Sequence, residues 1–167
     1  PGRPDDTDLS LWGIPRDRTF GGLNVVNNDR IAKLDRTIRE RAEMERSHLG
    51  LPDKFFLGVG RQVPKKNWSA LLRAYAQYRA ASHPNQWRLV LVGNGPDRPT
   101  LEELSARLAI RSDVRFVDFV QRDELISYYS LAGALVLPSF YGETWGTVVN
   151  EAMVCGLPVL VSRECGC

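Results

Sequence analysis

Two glutamates, Glu143 and Glu151, flank a glycine that opens an apolar run in the segment G-E-T-W-G-T-V-V-N-E-A-M at residues 142–153. An apolar run with a proline stop precedes this segment and another apolar run follows it, which predicts strand, loop, helix and strand. Gly146 lets backbone amides approach a ligand closely, and a helix that begins near Thr147 points its unpaired N–H groups at an anion. An anion beside carboxylates that bind hydroxyl groups indicates a phosphorylated sugar.

Five short apolar runs would position these side chains. The predicted strands are residues 55–60, 88–93, 114–120, 134–137 and 158–162. Helical patterns lie between them, and such alternation is typical of βαβ units. The sequence therefore predicts an α/β fold, a Rossmann-like doubly wound parallel sheet with helices on both faces.

Helix boundaries can also be predicted from the sequence. An exposed helix is expected over residues 29–48, capped by Asp29 and ended by Gly50. A capping box at residues 100–103 would open the helix that follows the second strand.

Charged residues from two separate loops meet at one edge of the predicted sheet. If the strand order is 3-2-1-4-5, a crevice opens at the carboxyl ends of the first and fourth strands. Arg61, Lys65 and Lys66 follow the first strand, and Glu143 follows the fourth. Cations that face a helix N-terminus describe a diphosphate pocket. Taken singly, Glu151 could lie on a solvated helix face, and Arg61 and Lys66 could be ordinary surface charges.

Length and composition exclude several classes of protein. The 167 residues suit one domain with a core. The 22 basic and 20 acidic side chains leave a net charge of +2, which does not argue for a nucleic-acid partner. No apolar run approaches the ~18 residues of a membrane span, and the first residues lack the apolar centre of a signal peptide. We therefore predict no nucleic-acid partner and no transmembrane segment.

Three cysteines, Cys155, Cys165 and Cys167, raise the question of a metal site. Zinc sites usually separate paired thiolates by two or more residues and add a second pair of ligands. One residue separates Cys165 from Cys167, and His48 and His83 are isolated along the chain. Reduced cysteines without a metal are therefore predicted, as in a cytosolic protein.

Three motifs carry a resemblance to a known family. They are V-G-R-Q-V-P-K-K-N, V-G-N-G-P and P-S-F-Y-G-E-T-W-G-T-V-V-N-E-A-M-V-C-G-L-P-V. Through them, residues 59–165 resemble the C-terminal, donor-binding domain of retaining glycosyltransferases of family four, one half of the two-domain GT-B fold. Asn67 replaces the usual glycine of the first motif, and Trp145 replaces the commoner phenylalanine of the third.

The resemblance implies a role for each matching residue. Arg61 and Lys66 would neutralise the departing diphosphate. Glu143 would bind hydroxyls of the donor sugar and face the reacting carbon, and Glu151 would hold the ribose. The other implied substrate-binding residues are Gly60, Val120 at the nucleobase, and Gly146, Thr147 and Val148 at the distal phosphate.

The implied activity is transfer of a glycosyl group from a nucleotide-diphospho-sugar to an acceptor hydroxyl, with retention of anomeric configuration and without a metal or other cofactor. A saccharide or lipid-linked acceptor would be bound by an N-terminal domain, of which residues 1–28 are the predicted tail and linker. Residues 29–167 would form the nucleotide-sugar-binding domain, truncated at both ends and inactive by itself. The implied setting is polysaccharide biosynthesis, in the cytoplasm or peripherally at the inner membrane surface.

Other interpretations stay open at this point. A sugar-nucleotide epimerase or a phosphorylase would use the same architecture, although the paired glutamates argue against the epimerase and no lysine-anchored cofactor site for a phosphorylase is recognised. A non-catalytic nucleotide-binding module would use the same pocket. The sequence leaves open whether the donor carries UDP, GDP or ADP, and which sugar and acceptor are used.

Overall fold

The structure is a computed structural model that describes residues 11–13, 15–18, 26–81, 84–141, 143 and 145–166. Most of the predicted tail and linker over residues 1–28 lies outside the described residues. The same holds for His83, Gly142, Thr144 and Cys167.

Five parallel strands of the described residues form one sheet in the order β3-β2-β1-β4-β5, which confirms the predicted doubly wound topology. The strands are β1 Phe55–Val59, β2 Arg88–Val92, β3 Val114–Val117, β4 Ala134–Leu137 and β5 Val159–Val161. Both β1 and β2 are almost continuously apolar because each lies between two neighbouring strands, with helices packed on both faces of the sheet.

The third strand ends earlier than the sequence predicts. Its last residue is Val117, which pairs with Val92 at the end of β2. The next residue of the neighbouring strand is Gly93, whose φ of 127° turns the chain out of the sheet. Because the edge strand then has no extended partner, Val120 lies in a loop instead of the predicted strand.

Within the described part of the chain, six α-helices cover the two faces of the sheet. They are α1 Asn28–Glu40, α2 Ala42–Leu49, α3 Trp68–Ala80, α4 Arg98–Arg107, α5 Arg122–Leu131 and α6 Thr147–Val154. Helices α3 and α4 pack together on one face, and α1, α5 and α6 pack together on the other. This division follows from right-handed crossovers on either side of the central strand β1.

Two predicted helix boundaries are wrong. The single helix expected over residues 29–48 is broken at Arg41, whose φ is −125°, and its cap is Asn27, which accepts a hydrogen bond from the backbone N–H of Arg30 at 3.0 Å. Gly50 ends α2 with a φ of 59°, as predicted. The capping box at residues 100–103 does not open a helix, because α4 already begins at Arg98 with a proline in its first turn.

The turn after β2 depends on a glycine, which gives a first testable prediction. A Cβ atom on Gly93 would lie 2.2 Å from the carbonyl oxygen of Gly60, and the φ of 127° disfavours any L side chain. We expect Gly93→Ala to lower the free energy of unfolding by about 3 kcal/mol through strain and overlap.

Gly156→Ala is the matched control for this measurement. Gly156 also has a positive φ, 65°, but nothing lies within 4 Å of a Cβ built on it, so its substitution should cost only about 1 kcal/mol of backbone strain. Urea unfolding of both variants measures their losses in the free energy of unfolding, and the difference separates the cost of atomic overlap from the cost of backbone strain. Equal losses in the two variants would contradict the close approach of the β1 and β2 turns.

Candidate functional site

The loop after β1 forms one wall of the predicted crevice. Gly60 donates its backbone N–H to the Val92 carbonyl at 3.0 Å, and residues Pro64–Lys66 form a short 3-10 helix. Asn67 then adopts the left-handed conformation, with a φ of 56°, and α3 begins at the next residue. Asparagine tolerates this conformation better than most residues other than glycine, which explains how Asn67 can replace the glycine of the family motif.

Lys66 and Glu143 form an ion pair across the crevice, as the strand order predicts. The Lys66 ammonium donates to Oε2 of Glu143, and the two side chains are only 13% and 14% exposed. Ser139 donates its hydroxyl to the same carboxylate oxygen at 3.1 Å. Neither charge is therefore an ordinary surface charge, and two loops distant in sequence are tied together at this point.

The backbone of Gly146, the residue before α6, also influences the Glu143 carboxyl. Burial raises the pKa of this carboxyl, but the hydrogen bond and charge of Lys66 and the hydrogen bonds from Ser139 and Gly146 outweigh burial, so its pKa is lower than its usual value. The carboxylate is thus ionised at neutral pH and lies beside the start of α6, where the sequence predicts a phosphate.

Arg61 and Lys65 belong to the same loop but present their side chains differently from Lys66. Both are exposed, and the Arg61 guanidinium forms no ion pair with any residue that the structure describes. Their backbone is fixed: Trp68 donates its indole N–H to the Arg61 carbonyl at 3.0 Å, and Phe140 donates its backbone N–H to the Lys65 carbonyl at 2.8 Å. The loop is therefore anchored while the Arg61 side chain is available to a ligand.

Helix α6 begins at Thr147, as predicted, directly after Gly146 in the left-handed conformation with a φ of 56°. Among the residues that the structure describes, no side chain caps this helix end. The first amides of a helix lack intrahelical partners, so those of Thr147 and Val148 face the crevice end of the sheet as potential donors to an anion.

Glu151 lies on α6 and is 4% exposed, so it does not belong to a solvated helix face. Tyr129 donates its hydroxyl to Oε2 at 3.0 Å, and Arg122 donates Nη2 to Oε1 at 3.0 Å. Burial, followed by the charge and hydrogen bond of Glu151, raises the pKa of Tyr129, which keeps the phenol protonated and able to donate. Neither partner was predicted, because nothing in the sequence distinguishes Tyr129 from the adjacent Tyr128.

The turn between β3 and α5 borders a cavity of about 410 Å³ between α1 and α5. Val120 in this turn is half-buried, and α5 begins at Arg122. The Arg30 guanidinium pairs with the Asp123 carboxylate at 2.5 Å across the cavity. The lining residues are Asn27, Arg30, Ile31, Leu34, Gln121, Arg122, Asp123 and Ile126.

Gln62 is a buried polar residue that sequence reasoning missed. It is 1% exposed and donates its side-chain amide to the Gly93 carbonyl at 2.8 Å. A Cβ on Gly95 would lie 2.3 Å from the Gln62 carbonyl oxygen, so the glycines of V-G-N-G-P allow the β1 and β2 loops to touch. The second motif thus shapes the crevice by close packing.

The residues that the structure describes contain no group of three or more His, Cys, Asp or Glu side chains that could hold a metal ion. Burial raises the pKa of the Cys155 thiol to about 12.

Within the described residues, no helix combines the length and apolar character that crossing a bilayer requires.

Residues 40–167 match the family model described as Glycosyl transferases group 1. The chain belongs to this family. It is 34% identical over 162 residues to an uncharacterized glycosyltransferase of Methanocaldococcus jannaschii, covering 94% of this chain and 39% of that protein.

Two further proteins are similar to this chain, one compared by sequence and one by structure. The chain is 37% identical over 138 residues to a D-inositol 3-phosphate glycosyltransferase of Salinispora arenicola, covering 77% of this chain and 31% of that protein. The structure of HepE from Anabaena in complex with UDP and glucose has a TM-score of 0.64 and 27% identity, covering 76% of this chain and 34% of that one. The chain therefore spans less than two fifths of the length of each of these proteins.

Proposed function

We propose that this chain supplies the donor-binding half of a retaining glycosyltransferase that moves a sugar from a nucleoside diphosphate to an acceptor hydroxyl. The observation that carries the proposal is the Lys66–Glu143 ion pair at the uncapped start of α6, with the buried Glu151 on the same helix. A cation, helix amides and two carboxylates at one crevice suit a ligand with both phosphates and hydroxyls.

The diphosphate would bind between the β1 loop and the start of α6. Arg61 and Lys66 would supply positive charge, and the amides of Gly146, Thr147 and Val148 would donate to the distal phosphate. Negative charge on the diphosphate grows as the glycosidic bond breaks, so these donors would act most strongly in the transition state. They would lower the barrier without a metal ion.

Glu143 would exchange its present partners for the donor sugar. Its carboxylate, ionised at neutral pH, would accept hydrogen bonds from sugar hydroxyls and stabilise positive charge at the reacting carbon. Glu151 would accept from the ribose hydroxyls, and the turn at Val120 would contact the nucleobase. A nucleotide-sugar as donor agrees with a relative whose structure contains UDP and glucose, and retention is a further part of this proposal.

The acceptor would be held by another part of the protein, an N-terminal domain that binds a saccharide or a lipid-linked acceptor. This division agrees with the fraction of its relatives that the chain covers, 39% and 31%. The chain by itself is then expected to bind the donor nucleotide and to transfer nothing.

A thermal-shift screen with UDP, GDP and ADP tests donor binding. We expect one of these nucleotides, at about 100 times its dissociation constant, to stabilise the protein by ~2.7 kcal/mol. Inorganic diphosphate and the matching nucleoside serve as ligand controls. The proposal is wrong if none of the three nucleotides changes the unfolding temperature.

The variants Arg61→Ala and Arg73→Ala locate the site in the same screen. Arg73 is an exposed arginine on α3, next to the loop that holds Arg61. We expect Arg61→Ala to weaken nucleotide binding several-fold and Arg73→Ala to leave it unchanged, since only Arg61 would approach the diphosphate. Transfer by the full-length protein, measured with the same nucleotide's sugar donors, then distinguishes an enzyme from a non-catalytic module.

A further inference from the structure

The two oxygens of the buried Glu151 carboxylate have partners of different character. Oε2 accepts from the hydroxyl of Tyr129, whose side chain is completely buried. Oε1 accepts from Arg122, which is the first residue of α5 and has a side chain that is 62% exposed. One partner is held in the core, and the other can rotate into solvent.

This asymmetry determines which oxygen a ligand can reach. Displacing Tyr129 would require repacking α5 against α6, and it would leave a buried carboxylate oxygen without a donor, which is costly. Displacing Arg122 requires only rotation of an exposed side chain, whose charge water then solvates. A ligand hydroxyl can therefore replace Arg122 at Oε1 but cannot replace Tyr129 at Oε2.

We propose that Tyr129 is a positioning residue, which fixes the carboxylate of Glu151 so that Oε1 faces the hydroxyl pair of a ribose, and that Arg122 occupies Oε1 until the ligand arrives. The inference rests on the proposed function, because it assumes that Glu151 receives the ribose. It adds a preference for binding ribonucleotides over deoxyribonucleotides. This preference depends on Tyr129, which lies on α5 and contacts Glu151 instead of the ligand.

The test compares a ribonucleotide with its 2′-deoxy counterpart. Calorimetric titration of the full-length protein uses the nucleoside diphosphate that binds best among UDP, GDP and ADP, and then its 2′-deoxy form. We expect the unmodified protein to prefer the ribonucleotide by about tenfold, the value of one hydrogen bond to a charged group. Tyr129→Phe should reduce this preference to about twofold, since the carboxylate is no longer held in one orientation.

Tyr128→Phe is the matched control, because Tyr128 is a neighbouring buried tyrosine on α5 that forms no hydrogen bond with Glu151. It removes a hydroxyl from the same helix and should keep the tenfold preference. A tyrosine with a purely structural role would lower thermal stability when changed without altering the ratio of the two affinities. An unchanged ratio in Tyr129→Phe would therefore overturn the proposal.

Arg122→Ala keeps the inference testable even if Tyr129→Phe folds poorly. Without the arginine the ribose has no competitor at Oε1, so the ribonucleotide should bind about twofold more tightly and the preference should persist. Loss of the preference in Arg122→Ala would show that the arginine orients the carboxylate, which contradicts the proposal. Failure of the unmodified protein to bind any of the nucleotides would instead reject the proposed function, and binding without a ribose preference would reject the inference alone.

Discussion

Glu143→Gln is expected to reduce turnover with the intact sugar donor by about 1,000-fold while tightening the binding of the free nucleoside diphosphate by about tenfold. The two effects have opposite signs because the carboxylate competes with the diphosphate for a donor but stabilises the donor sugar. In the structure it accepts from Lys66 and Ser139, and the Lys66 ammonium would also serve the diphosphate. An uncharged side chain would release this ammonium to the nucleotide, but would not stabilise positive charge on the sugar.

Calorimetry with the nucleoside diphosphate and single-turnover rates with the donor measure the two effects separately. Glu102→Gln is a matched control, since Glu102 is also paired with a cation, Arg98 at 2.6 Å, but on α4. It should change neither quantity. Weaker binding of the free nucleotide by Glu143→Gln would show that the carboxylate does not compete with the phosphate.

Lys66→Ala is expected to lower turnover by about 100-fold or more, with a smaller loss of affinity for the free nucleoside diphosphate. The ammonium lies at the crevice with its side chain 13% exposed, where a charge interacts strongly with a developing anion. The variant also leaves the Glu143 carboxylate without its cation, so some loss of thermal stability should accompany the loss of activity.

Lys65→Ala is the control for this variant because it removes the same charge from the adjacent residue. The Lys65 side chain is exposed, and only its carbonyl takes part in the contact between the loops, at 2.8 Å from the Phe140 nitrogen. Rates and nucleotide affinities of the two variants in the full-length protein are compared under the same conditions. Similar turnover in both would remove Lys66 from the proposed reaction.

The sequence determined the sheet and the place of its crevice. Uninterrupted apolar runs such as β1 and β2 occur where strands are covered on both faces, and short runs separated by helices leave few topologies. Once the order β3-β2-β1-β4-β5 is assumed, Lys66 and Glu143 must meet, since each follows a strand whose carboxyl end opens at the same edge. The start of α6 was equally predictable, because Gly146 precedes an apolar helical run.

Only the tertiary structure decided how the charged groups are partnered. That Glu143 accepts from both Lys66 and Ser139 depends on the contact between the loops after β1 and β4, and that Glu151 is buried depends on the packing of α6 against α5. The partners of Glu151 come from α5, 22 and 29 residues away along the chain, at a distance where local patterns carry no information. Hydrophobic periodicity states which face of a helix is buried, but the pairing of polar groups on that face is fixed by contacts between elements that the sequence does not place side by side.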